Sequence, residues 1–112
     1  MTITNPHNVQ IESTMLGFED HGIFTAFINF KGDGIGISMG GMMFPKRLQY
    51  HVAFIQEVLK VLRLNSWEDL KGKYCRIQRG PNGVEAIGHL IEDAWFFPAH
   101  LIREARDERN SQ

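Results

Sequence analysis

Apolar and polar positions alternate through the first part of the chain. Val9 to Phe18 carries Val9, Ile11, Met15, Leu16 and Phe18 among threonine and serine, which suits a strand or an irregular pair of short strands. Glu19-Asp20-His21-Gly22 reads as a turn, because Asp initiates turns and Gly22 accepts positive φ. Ile23 to Phe30 then alternates cleanly, with Phe24, Ala26, Ile28 and Phe30 on one face. From Lys31 to Phe44 a single strand is expected, ended by Pro45. Its period of two puts Gly32, Gly34, Gly36, Ser38 and Gly40 on one side. Glycine in a strand contributes no packing, so such a row marks a place where something comes close: a helix, another subunit or a ligand.

At Arg47 the period changes. Leu48, Val52, Ile55, Leu59 and Leu62 recur at helical spacing up to Arg63 and predict the main amphipathic helix. Asn65 is placed to cap its end, and Ser66-Trp67-Glu68-Asp69 reads as the first turn of a short helix over 66–71. Tyr74 to Arg79 and Val84 to Ile91 form a hairpin about the Gly80-Pro81-Asn82-Gly83 turn. An apolar crossing segment follows from Glu92 to Pro98, then a charged helix over 99–109. Met1 to Asn8, polar and carrying Pro6, reads as a loose arm.

The expected fold is therefore one α+β domain over residues 1–112, in the order ββββ, helix, ββ, helix. An antiparallel sheet of about six strands has the main helix packed on one face. A chain of 112 residues with 43% hydrophobic residues fills one core, and two domains do not fit.

Charge and cysteine content narrow the function. With 12 basic and 13 acidic side chains there is no global field for duplex nucleic acid or an acidic membrane, and neither partner is expected. Cys75 is the single cysteine, so no intramolecular disulfide forms and a reducing, cytoplasmic compartment fits. No apolar run is long enough to span a membrane, and Met1 to Gln10 lacks a basic segment followed by an apolar one.

Candidate chemistry is sparse. The glycine segment lacks the Gly-Lys-Ser/Thr of a phosphate loop and the helix start of a dinucleotide fingerprint. The five histidines, His7, His21, His51, His89 and His100, show no zinc-site spacing, so no metal is expected. Cys75 lies within a strand, where a buried thiol is the natural reading, and the acid pairs Glu19-Asp20 and Glu92-Asp93 read as turn residues. No cofactor is expected and no catalytic residue is assigned.

Basic residues gather at Lys46-Arg47, at Lys71 and Lys73, at Arg76 and Arg79, and at Arg103, Arg106 and Arg109. If several converge on the glycine face they form a small anion pocket, with an arginine fork on phosphate and Trp95 stacking on a base. On that chemistry the candidate ligand-binding residues are Gly34, Gly36, Gly40, Arg47, Arg76, His21, His89 and Trp95.

Glu19-Asp20-His21-Gly22-Ile23-Phe24-Thr25, the glycine strand, Trp67-Glu68-Asp69-Leu70-Lys71-Gly72-Lys73 and Ala86-Ile87-Gly88-His89-Leu90-Ile91-Glu92-Asp93-Ala94-Trp95-Phe96 carry a resemblance. Over roughly Ile11 to Pro98 the chain resembles a family of small proteins encoded by tailed bacteriophages. That set is similar to phage anti-defence sponges of the Thoeris-inhibiting type, which sequester cyclic nucleotide signals without cleaving them. The resemblance implies a non-enzymatic, homo-oligomeric phage accessory protein of the host cytoplasm that binds a small anionic, nucleotide-like ligand. The chain departs from the pattern where Met42-Met43-Phe44-Pro45 leads almost directly into the helix in place of a longer polar connection. No binding residue is transferred. Two alternatives stay open: an interaction module using the glycine face or Trp95-Phe96-Phe97, and a small hydrolase.

Overall fold

The computed structural model describes residues 3–20, 22–32, 35–40, 48–81 and 83–101, with the backbone alone at Ile35, Gly36 and Leu48. The class is α+β, as the patterning predicts. The elements run β1 (Pro6–Phe18), β2 (Phe24–Gly32), β3 (Ile35–Gly40), α1 (Leu48–Leu62), a 3-10 turn (Trp67–Asp69), β4 (Tyr74–Gly80), β5 (Gly83–Gly88) and β6 (Trp95–Phe96). They form one six-stranded sheet in the order β3-β2-β1-β4-β5-β6, and every pairing among the described residues is antiparallel.

Strand β1 organises the sheet. It begins at Pro6, inside the segment expected as a loose arm, and residues 6–10 pair with β4 while residues 10–18 pair with β2. A register shift between Ile11 and Ser13 makes Glu12 the extra residue of a bulge, which lets one strand bend from one neighbour to the other. Val9 to Phe18 is thus one long strand, so among the described residues three strands precede the helix where four were expected. The sixth strand comes from the crossing segment, where Trp95 and Phe96 pair with Gly88 and Ile87.

The sheet curls until parts of β3 and β5 approach within 8 Å between Cα atoms, without a hydrogen-bonded ladder among the described residues. A meander, a helix, then a hairpin that returns to β1 and closes toward β3 is the strand order of the partly open, five-stranded OB barrel. The core fills its interior: Val9, Ile11, Ala26, Ile28, Phe30, Met39, Cys75, Ile77 and Ile87 from the strands meet Phe54 and Val58 of α1.

Two sequence expectations change here. The buried stripe of α1 is Tyr50, His51, Phe54, Val58, Val61 and Leu62, whereas Val52 of the expected stripe is 52% exposed, with Ile55 and Leu59 only partly buried. The helix carries two overlapping apolar stripes, and the one with aromatic residues has more area to bury, so it turns inward. The helix ends at Arg63, whose φ of 57° adopts the left-handed conformation expected at a C-terminal cap. The Leu64 N–H closes the cap on the Leu59 carbonyl at 2.9 Å.

The second change concerns the glycine row, which spans two strands. Gly32 ends β2 and pairs with Ile35 of β3, so the connection between them is residues 33–34. Crossing a hairpin breaks the alternation: the missing Cβ of Gly32 points at Val9 Cγ1, 3.0 Å away on the core side. Met39 is buried and Ile37 packs on the core, so Gly36 and Ser38, which alternate with them, belong to the opposite, outer face of the sheet. The main helix therefore packs on the other face from these residues. Gly40 is the exception, since its missing Cβ would lie 3.2 Å from the Phe54 ring.

Candidate functional site

On the outer face of β1, β2 and β3, cross-strand pairing aligns Ser13 with Asn29 and Asn29 with Ser38, while Lys31 lies opposite Gly36 and Phe27 opposite Gly40. The Asn29 amide donates to the Ser13 hydroxyl at 2.9 Å, which fixes the amide plane. A groove of about 350 Å³ runs over these residues, lined by Glu12, Ser13, Asn29 and Ser38 and floored by Phe30 and Ile37. Gly36 places bare backbone beside it. Its polar groups are one carboxylate, two hydroxyls and one amide, with the exposed Lys31 on the same face.

The sequence-derived candidates separate. Gly36 and Gly40 lie on β3, Gly36 beside this groove and Gly40 turned toward the Phe54 ring. Gly34, His21, Arg47 and the basic residues Lys46, Arg103, Arg106 and Arg109 lie outside the described residues. Arg76, His89 and Trp95 do come together, at the corner between β5 and β6. The Arg76 Nε donates to the His89 carbonyl at 2.8 Å and its Nη2 to the Glu92 carbonyl at 2.8 Å. Its guanidinium carbon sits 4.9 Å from the centre of the Trp95 ring, in cation–π range.

His89 holds the same loop from the other side. Its Nδ1 accepts the N–H groups of Ile91, at 3.1 Å, and Glu92, at 3.0 Å, so a neutral ring carries its proton on Nε2. Trp95 fits because Gly88 is its cross-strand partner: a Cβ at Gly88 would stand 2.6 Å from the indole. Arg63 completes the corner with a 2.6 Å ion pair to the Glu92 carboxylate. Arg76 thus spends two of its donor groups on backbone carbonyls, and its first role is to tie down residues 89–94.

That role gives a stability prediction. Arg76→Met leaves two carbonyls without donors and is expected to cost about 1–3 kcal/mol in urea unfolding. Arg76→Lys recovers little of it, because an ammonium cannot span both carbonyls while stacking on Trp95. Full recovery by lysine contradicts the geometry.

Cys75 is buried in β4, and desolvation pushes its thiol up to about 12, so the sulfur stays protonated near neutral pH. Among the described residues no group of three or more His, Cys, Asp or Glu side chains is gathered to hold a metal ion. No helix of the described residues is long and apolar enough to cross a membrane.

Of the residues on or beside this face, the sequence singles out Gly36 as a candidate and Ser38 only as a member of the glycine row, and it does not single out Glu12, Ser13, Asn29 or Lys31. The signal was present in part: Asn29 and Lys31 flank Phe30 in a cleanly alternating strand, so their side chains face away from the core. Glu12 joins the groove because of the bulge, which no periodicity announces. No protein-family model, curated protein or solved structure matches the chain.

Proposed function

We propose that this chain is a non-catalytic binding protein that takes up a small anionic, nucleotide-like ligand on the outer face of β2 and β3. The observation that carries this reading is the groove itself: fixed amide and hydroxyl groups beside strand backbone bare at Gly36, with a cation on the same face. A ribose presents hydroxyls that suit Glu12, Asn29 and Ser38, a phosphate suits Lys31, and the half-buried Phe27 offers an aromatic surface to a base. In barrels of this strand order the face of the second and third strands is the usual place for oligonucleotides and oligosaccharides, which supports the location by analogy of fold. The protonated, buried Cys75 thiol supports binding over nucleophilic chemistry.

This reading agrees with the resemblance to phage anti-defence sponges and makes the chain a phage accessory protein of the host cytoplasm that sequesters a defence signal. Thermal unfolding against cyclic nucleotides and adenosine-ribose products tests it. At a ligand concentration of about 100 Kd the stabilisation is about 2.7 kcal/mol, a rise in Tm of roughly 10 °C. Lys31→Ala and Asn29→Ala are expected to remove most of that rise, with the unliganded Tm within about 2 °C in Lys31→Ala and about 5 °C lower in Asn29→Ala, which loses its hydrogen bond to Ser13. The ligand is expected to be recovered chemically intact. A panel without any shift, or recovery of a cleaved product, overturns the proposal.

A second reading, self-association or binding of a protein partner, has its own observation. At the β1–β2 tip Leu16, Phe18 and Ile23 are exposed, Phe18 by 72%, with the Phe18 ring edge-on to Phe24 at 5.3 Å. A homo-oligomer that buries this tip leaves the β2–β3 groove open. Phe18→Asp is expected to shift the species seen in analytical ultracentrifugation toward monomer, and an unchanged mass rejects the tip as the contact.

A further inference from the structure

The loop tied down by Arg76 and His89 forms one wall of a second cavity, of about 230 Å³, between the end of α1 and the start of β4. Leu62, Leu64, Leu90 and Ile91 make it largely apolar, Tyr74 adds a phenol, and His89 and Lys73 are the basic side chains among its lining residues. Apolar surface is concentrated around its mouth, where Ile91 is 82% exposed and Tyr74 61%. Exposed aliphatic and aromatic side chains about a concave site are what an apolar ligand covers.

The polar atoms say which ligand. Both backbone N–H groups of the loop point at Nδ1 of His89, so the remaining ring donor is Nε2–H, which has no partner among the described residues. The Lys73 ammonium likewise has no acid partner among them. The nearby carboxylate of Glu92 is neutralised by Arg63 at 2.6 Å, so it does not repel an anion. One fixed N–H donor and one cation at an apolar cleft complement a single negative charge on an apolar body.

We propose that this cleft is a binding site for a small amphipathic monoanion, an aromatic or branched aliphatic carboxylate seated on the leucines, Ile91 and Tyr74 with its carboxylate toward Lys73 and His89. The volume is below the usual range for drug-sized ligands, so the occupant is of fragment size, smaller than a nucleotide. The site is independent of the β2–β3 groove, and either stands if the other fails.

The test is a ¹⁵N-edited NMR titration of the whole chain with 4-phenylbutyrate and, in parallel, its neutral amide. The carboxylate is expected to move the amide signals of His89 to Glu92 with a Kd of about 1 mM or tighter, and the neutral amide to bind at least about tenfold more weakly. Lys73→Met keeps the stem and removes the charge; it is expected to weaken the carboxylate about tenfold. His89→Asn keeps an acceptor for the Ile91 and Glu92 N–H groups while deleting the Nε2–H, and is expected to weaken binding similarly. If that variant fails to fold, Lys73→Met, an exposed side chain, decides. Equal affinity for acid and amide, no movement up to about 10 mM ligand, or full affinity in Lys73→Met overturns the proposal. So does broadening of these same signals with protein concentration alone, which identifies a second copy as the occupant.

Discussion

Gly40→Ala is expected to destabilise the fold by about 3 kcal/mol or more, a large share of the stability of a domain this size. Two costs add. The backbone φ of Gly40 is +110°, a conformation side chains rarely adopt, and holding alanine there costs of order 1–3 kcal/mol. The new methyl would also lie inside the contact radius of the Ala26 carbonyl oxygen, 3.0 Å from the Phe27 Cα and 3.2 Å from the Phe54 ring. Two of those three neighbours are backbone of the paired strand and cannot step aside, so overpacking adds about 1–3 kcal/mol. Gly22→Ala supplies the control, because Gly22 has φ of +80° with nothing within 4 Å of a Cβ. It is expected to lose only about 1–2 kcal/mol of strain in urea unfolding. Equal losses at the two sites would contradict the close approach at Gly40.

Phe54→Ala is expected to cost about 3–5 kcal/mol, the range for deleting a fully buried phenylalanine. Phe54 is completely buried, and its ring lies 6.1 Å from Phe96 and 6.4 Å from Trp67 between centroids. It is where α1 meets the 3-10 turn and β6, so the cavity left by alanine is bounded by elements that cannot all collapse into it. Val52→Ala, on the exposed side of the same helix, is expected to change stability by less than about 0.5 kcal/mol. The contrast between the two identifies the buried stripe: if Val52→Ala were the more costly, the helix would be turned as its leucine spacing alone suggests.

Those two sites also show what the residues did and did not reveal. Helix α1 was legible from its spacing because 3.6-residue periodicity is local, yet which of its two stripes faces inward depends on competition for the core. Tyr50 and Phe54 win it by area. The glycine row was legible as unusual composition, but the hairpin connection at 33–34 reverses the face of Gly32, and a period of two carries no memory across a turn. Asn29 and Lys31 of the candidate groove were readable as outward positions of β2. Glu12 was not, because a bulge arises from pairing β1 with two different neighbours. Chemical type alone puts Arg76, His89 and Trp95 in an anion pocket at the glycine face, whereas they meet at the corner between β5 and β6. Two carbonyls, separated from Arg76 by 13 and 16 residues, claim the guanidinium, and only the tertiary path of residues 89–94 sets them there.

The central claim is that the outer face of β2 and β3 is where this chain takes its ligand. Chemical-shift mapping tests it most directly, using ¹⁵N-labelled protein and whichever nucleotide raises the Tm. The largest movements are expected at Ser13, Asn29, Lys31 and Ser38, with the side-chain amide of Asn29 among them, and they are expected to be lost in Lys31→Ala. Movements confined to His89–Glu92, or spread over the β1–β2 tip with the groove silent, would contradict it.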